Sequence, residues 1–471
     1  MVYLGFLLTC LMGCLLLPPR WKSGGLLVRL SFGFALGVFA VSVQMFAYSL
    51  AGVPWTIATL MLPWIAGAAA YGWFARDLLK TARPALPGAP WAPLLVAAGI
   101  LLPLAIWLPY ERLMPLTSQS WDAWAIWLFK AKAFYVDGGI RPFLTRSQEF
   151  TTQPGYPLLV PLYVTFLYVF AGGVAEQTAK LLSPLSFVAL LGVFYYFARR
   201  YASSVVSAVF TCMLATVPVL ALVAFELAGY ADTTLSLYLL AAGGFLTLWT
   251  LEGRTADLVG ASLAATAAAW TKNEGQFFLL AVVLVAAVRL LRTKAPARQW
   301  LLLVAPPLLV MAIWHLFRQA YDVEAAGFTL AASFQPEFFR IALRTMISKA
   351  FQPGLVGLSF VLLAGAALAT RGLRLAAGFW IVPGLVLWHL SGALLAYSTG
   401  RNDIHWWLGT SADRILSQVV PLALLPAAWV FGRWAAQAAE SRLRGESPPE
   451  TGDRQPGKAR KTKRSGRVKA R

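Results

Sequence analysis

From Ser120 to Gly139 the chain reads Ser-Trp-Asp-Ala-Trp-Ala-Ile-Trp-Leu-Phe-Lys-Ala-Lys-Ala-Phe-Tyr-Val-Asp-Gly-Gly, and from Gln153 to Pro161 it reads Gln-Pro-Gly-Tyr-Pro-Leu-Leu-Val-Pro. Long apolar runs flank this region, so Leu116 to Pro161 reads as an extramembrane loop that keeps carboxylates, lysines and five Trp or Tyr rings close to a lipid surface. Two more polar interruptions follow, Gly229-Tyr230-Ala231-Asp232 and Trp270-Thr271-Lys272-Asn273-Glu274-Gly275. Ionisable groups at membrane depth are costly and usually face a cavity or a pathway. The three stretches are therefore expected to line one aqueous pocket.

The surrounding composition fixes the class. With 59% hydrophobic and 13% charged residues, the chain has more apolar sequence than a soluble core can hide, whereas a membrane span needs about 20 apolar residues. The expected fold is an all-α polytopic membrane protein of about 11–13 transmembrane helices. A net charge of +20 would suggest nucleic acid in a soluble protein. Here the basic residues cluster between spans and in the tail, as the positive-inside bias requires, and no nucleic-acid partner is expected. Cys10, Cys14 and Cys212 lie in apolar runs without metal or disulfide spacing. Residues 2–18 lack a basic segment before the apolar run and have Arg20 and Lys22 after it, which reads as a retained first span.

Further spans are expected at 27–50, 55–74 and 91–109, with Arg20, Lys22, Arg76, Lys80 and Arg83 in cytoplasmic turns. The 110–156 loop is then external. Arg199 and Arg200 ask for a cytoplasmic turn, so Asp122 and Asp232 share a side only if the short segment 157–171 is re-entrant or interfacial. Later spans run to 414–434, leaving external loops at 318–352 and 398–413 and closing a membrane domain at 1–435. Residues 436–471 read as a disordered basic cytoplasmic tail, with nine basic residues and no acid from Arg454 onward. Its expected partner is anionic lipid headgroups. The expected location is the cytoplasmic membrane, with the site outside.

Individual residues admit two readings each. Asp122, between Trp121 and Trp124, is either a partly desolvated general base or the N-cap of an interfacial helix. Lys130 and Lys132 either hold an anionic substrate or snorkel. Asp137, before Gly138 and Gly139, reads as a turn residue. Asp232 is either a helix cap or, with Glu226, an acidic wall, and Lys272 either pairs with Glu274 or neutralises a phosphate leaving group. In the last stretch, Thr410 or Ser411 is expected to cap the final helix and leave Arg414 in its first turn, where free N–H groups and a guanidinium form a phosphate site. The alternative partner of Arg414 is Asp413.

Trp121-Asp122 with its Lys-Ala-Lys helix, Tyr156-Pro157, Tyr230-Ala231-Asp232, Thr271-Lys272-Asn273-Glu274-Gly275 and Thr410-Ser411-Ala412-Asp413-Arg414 occur in that order. Together they resemble the GT-C superfamily of polyprenyl-phosphate-sugar-dependent glycosyltransferases, in particular bacterial relatives of protein O-mannosyltransferases and aminoarabinose transferases. The resemblance runs from about Leu116 to Pro421 and implies a GT-C-like bundle. It implies that Asp122 and Asp232 are the catalytic acids. Lys130, Lys132, Tyr156, Lys272, Glu274, His405 and Arg414 are then the residues expected to hold lipid phosphate and sugar. The implied reaction moves a sugar from a polyprenyl-phosphate donor to a hydroxyl of a glycan, lipid or protein acceptor, with inversion. Some members carry a second acid two residues after the first, whereas this chain has Trp124 there and Gln153 before the re-entry, so the motif does not support a divalent metal. A secondary transporter or lipid flippase is the alternative class, because these also place charges between broken helices.

Overall fold

The computed structural model describes residues 1–17, 25–74, 120–146, 153–323, 334–372, 377–400 and 402–443. The expected span at 91–109, the basic residues Arg20, Lys22, Arg76, Lys80 and Arg83, and the tail beyond residue 443 lie outside the described residues. All regular structure among the described residues is helical. The helices used below are α1 (Val2–Leu16), α2 (Gly25–Ala51), α3 (Ile57–Phe74), α4 (Leu128–Asp137), α5 (Leu159–Ala171), α6 (Leu182–Ala198), α7 (Ser204–Ala215), α8 (Asp232–Glu252), α9 (Thr255–Thr271) and α10 (Asn273–Arg292). They continue with α11 (Ala297–Ala320), α12 (Pro336–Ala350), α13 (Ser359–Gly372), α14 (Ile381–Thr399) and α15 (Ile404–Leu443).

Seven helices among the described residues are long and apolar enough to cross a membrane, and α7 with Pro218–Glu226, bent by 64°, makes an eighth if counted as one span. The chain is a multi-pass helical membrane protein. The most enclosed spans are α8 and α15, whose apolar windows are 89% and 94% buried, against 22% for α11, so α8 and α15 form the central axis.

Their contact explains how a helix holding Pro421 stays continuous. Proline has no N–H, so the carbonyl four residues earlier, that of Ser417, loses its partner. The Ser236 hydroxyl of α8 donates to Ser417 O at 3.2 Å and to Gln418 O at 3.1 Å, replacing the missing donor from a neighbouring helix. The same contact fixes Gln418 opposite the start of α8.

The α9–α10 hairpin turns within one extended residue, Lys272. A Cβ at Gly275 would lie 1.9 Å from Ala268 O, so only glycine lets the two helices close this tightly. Helix α5 has 13 residues, about 20 Å of rise, and is buried against α1, α2 and α4.

The last helix departs from expectation at both ends. It starts at Ile404, where Asp403 Oδ1 accepts from Trp406 N at 2.8 Å, so Asp403 rather than Thr410 or Ser411 is the cap. The supposed 398–413 loop is mostly helix. The helix also continues past 435 to Leu443, because Ala435-Ala436-Gln437-Ala438-Ala439-Glu440 are strong helix formers with no glycine or proline among them. Within 318–352, α12 is anchored beside the start of α15 by Gln335 N to Ser398 O at 2.8 Å and Gln335 Nε2 to Gly400 O at 3.1 Å.

Candidate active site

Asp232 opens α8 wholly buried. Its Oδ1 accepts from Lys272 Nζ at 2.9 Å and from Gln418 Nε2 at 2.6 Å. Gln418 Oε1 meets His389 Nε2 at 2.8 Å, which fixes the amide by a second contact. Among the described residues, Asp232 Oδ2 accepts no hydrogen bond, and it lies 3.6 Å from Arg414 Nη1. A buried carboxylate is tolerated only when cations and donors surround it, and here two cations and an amide do so.

Arg414 faces outward from Asp232. Its Nη1 bonds Asp122 Oδ2 at 2.5 Å, its Nε donates to Thr410 O at 3.0 Å, and the guanidinium lies 5.0 Å from the centre of the Tyr230 ring. The Asp122 backbone N–H donates to Tyr230 Oη at 3.3 Å, tying the first loop to the turn before α8. That turn is pinned by Gly229 N to Ser183 Oγ at 3.0 Å and by a left-handed backbone at Gly229, φ +95°. Asp122 itself precedes a π-helical turn, Ala123–Trp127, a local distortion that recurs at functional sites.

Lys272 also bonds Glu274 Oε1 at 3.0 Å. The cluster thus alternates sign, Asp122, Arg414, Asp232, Lys272, Glu274, with three acids against two cations. Its two ends are open: the Asp122 side chain is 23% and that of Glu274 27% exposed, while Asp232 is 0%. Tyr156 forms the side wall. Burial first, then the Glu274 charge, pushes its phenol up to about 12, so it stays protonated at neutral pH.

Behind Tyr156 lies Lys130. Its Nζ donates to Gln153 O at 2.6 Å and sits 5.6 Å from the Trp127 ring centre and 5.5 Å from that of Tyr156, which stack at 5.5 Å. Gln153 has φ +53°, a left-handed backbone unusual for its type, and Arg318 Nη1 reaches the next turn carbonyl, Gly155 O, at 3.4 Å.

Against these contacts stands one solved structure. The chain is similar to ArnT from Cupriavidus metallidurans in the apo state, with 18% sequence identity and a TM-score of 0.45. The alignment covers 74% of this chain and 62% of that one, so the chain spans about three fifths of ArnT's length. No family model and no curated protein matches the chain.

The three polar stretches do meet, and Asp122, Asp232, Tyr156, Lys272, Glu274 and Arg414 are brought together. Several expectations change. Asp122 is not a lone carboxylate among aromatic rings but half of an ion pair, and it makes no side-chain cap. Asp232 is enclosed behind Arg414 and Lys272, and Glu226 is exposed, so the two build no common wall. Lys130 is wholly buried and spent on the Gln153 carbonyl, while Lys132 is exposed, because residues two apart on a helix point to different faces. Arg414 lies ten residues inside α15, too deep for a helix-end phosphate site, and Asp413 pairs with Lys349 at 2.6 Å instead. His405 is exposed in the first turn of α15. Asp137 ends α4 before the left-handed Gly138, φ +67°, and pairs with Arg146 at 2.8 Å. Sequence reasoning missed Gln418 and His389. Each is a large polar side chain within an apolar span, Gln418 one helical turn after Arg414 and His389 between Trp388 and Leu390, and that is the signal that marks them.

Proposed function

We propose that the chain is a GT-C-type membrane glycosyltransferase that transfers a sugar from a polyprenyl-phosphate donor to an acceptor hydroxyl on the outer face, with inversion. The supporting observation is the convergence of Asp122, Asp232, Lys272, Glu274 and Arg414, spread over 292 residues between the first and last, on one ion-paired cluster with two open ends.

In this reading the donor phosphate takes Arg414 and, through the Glu274 end, approaches Lys272. A phosphate at the guanidinium competes with Asp122 for the same N–H, and the displaced carboxylate becomes free to accept a proton. The acceptor oxygen then attacks the anomeric carbon from the side opposite the phosphate. Its proton passes to Asp122, the carbon–oxygen bond to phosphate breaks with its electron pair, and the departing oxygen is neutralised by the two cations. Asp232 touches no substrate. It is a positioning residue that holds both cations at one spacing, and Gln418 and His389 hold it in turn. Segment 157–171 is re-entrant in this arrangement, the external loops carry the site, and the basic tail is cytoplasmic beside anionic headgroups.

Purified protein incubated in micelles with polyprenyl-phosphate sugars and a hydroxyl acceptor tests the reading. Release of polyprenyl phosphate with a glycosylated product is expected. Lipid movement between leaflets of vesicles with no turnover in micelles would instead mark a flippase.

A further inference from the structure

Two cations that the proposed reaction leaves idle hold one short turn of the chain. Gln153-Pro154-Gly155-Tyr156 reverses direction with Tyr156 N donating to Gln153 O at 3.1 Å. Lys130 Nζ of α4 donates to the same oxygen at 2.6 Å, which fills both lone pairs of that carbonyl. Arg318, in the last turn of α11, donates from Nη1 to Gly155 O at 3.4 Å.

Among the described residues neither cation forms an ion pair. Lys130 is wholly buried, and Arg318 is half-buried with its Nε enclosed and without a partner. A charge enclosed without a counter-charge destabilises a fold, so folding alone does not account for the pair. Gln153 is a second departure, because a left-handed backbone, φ +53°, persists at a non-glycine residue only where its surroundings over-determine it.

What the turn delivers is Tyr156. Its ring stacks on Trp127 at 5.5 Å, 12° from parallel. Its phenol lies within the fields of Glu274, Lys272, Asp122 and Arg414 together, and so stands between the two open ends of the cluster. The O–H stays protonated at neutral pH and finds no acceptor among the described residues. In an inverting displacement the transferred sugar lies between base and departing phosphate, here between Asp122 and the Arg414–Lys272 side. A neutral O–H donor beside that space suits a sugar hydroxyl.

We infer that Lys130 and Arg318 are positioning residues for the proposed transfer, holding turn 153–156 so that the Tyr156 O–H donates to a hydroxyl of the transferred sugar. This rests on the sugar-transfer reading. The test is a cycle of substitutions on the full chain in micelles, with initial rates on whichever polyprenyl-phosphate hexose or pentose the wild type turns over. Tyr156→Phe keeps the stacked ring and should lower kcat/KM for that donor about tenfold. Arg318→Gln should lower it at least about fivefold, with a melting midpoint near that of wild type. Placed on Tyr156→Phe, Arg318→Gln should cost less than about twofold more, because the hydroxyl it positions is already gone. Wild-type kcat/KM in either single variant, or two losses that simply multiply, overturns the inference. Should Arg318→Gln fail to fold, Lys130→Met takes its place in the cycle under the same criteria. No turnover by the wild type with any such donor would instead refute the transfer reading itself.

Discussion

Lys349 of α12 holds Asp413 of α15 at 2.6 Å, and this contact determines which acids Arg414 can meet. Neighbouring residues on a helix point about 100° apart. With Asp413 turned to α12, Arg414 turns to the other side of α15, where Asp122 and Asp232 lie. The paired arrangement of the site thus begins with a residue that does not belong to it.

Replacing Asp122 by Asn keeps the side-chain shape and an oxygen for Arg414 but removes the proton acceptor. Turnover with a polyprenyl-phosphate sugar should fall at least about 100-fold while the melting midpoint stays near that of wild type. Initial rates on the purified variant check this, and wild-type turnover would refute the base role.

Arg414→Lys keeps the charge and loses the planar fork that would grip a phosphate once Asp122 is displaced, so donor affinity should fall at least about tenfold. Arg414→Ala should be worse and also less stable, because it leaves buried Asp232 with one cation; breaking such a pair costs about 3–5 kcal/mol. Acceptor affinity should change little. Separate donor and acceptor titrations decide, and equal donor affinity for wild type and Ala would confine Arg414 to a structural role.

Burial pushes the Lys130 ammonium down from 10.5 to about 7. Between those values the unfolded chain binds more protons than the folded one, so stability from this residue rises with pH through that window and is lost as pH falls toward 7. The steepest slope is about 1.4 kcal/mol per pH unit. Thermal midpoints at pH 7.5 and 9.5 should differ less in Lys130→Met than in wild type. The same difference in both proteins would show that Lys130 is charged throughout.

Glu226 precedes α8 and Arg292 ends α10, and both are exposed. In a background without Cys10, Cys14 and Cys212, Glu226→Cys should react with an impermeant reagent in intact cells and Arg292→Cys only after permeabilisation. The reverse pattern would invert the proposed topology.

Gly275→Ala should lower expression and melting temperature, since the new methyl group meets backbone rather than a yielding side chain. A cost of about 1–3 kcal/mol or more is expected. Normal stability would mean that the hairpin opens freely.

The helical membrane class was legible because apolar composition and span length leave few alternatives. The meeting of Asp122, Asp232, Lys272 and Arg414 was legible too, since each is a charge that water or a counter-charge must satisfy. What escaped was pairing. Nothing near Asp122 in the sequence announces that its partner lies 292 residues on, and Lys349, which diverts Asp413, sits on an amphipathic helix with no motif. The helix start was misplaced because Asp403, Thr410 and Ser411 are all good caps, and only packing selects among them. Lys130 and Lys132 read alike in sequence but lie on different faces.

The closeness of Gly275 to the Ala268 carbonyl bears on how such chains are recognised. In Lys272-Asn273-Glu274-Gly275 the glycine answers to backbone geometry, whereas the lysine and glutamate answer to charge. A descendant without the proposed chemistry would still need the glycine to fold, could lose the glutamate, and could lose the lysine only together with the buried Asp232 that it neutralises. Finding the glycine in a distant sequence therefore bears on the shape of the hairpin, and only the charged pair beside it bears on the proposed reaction.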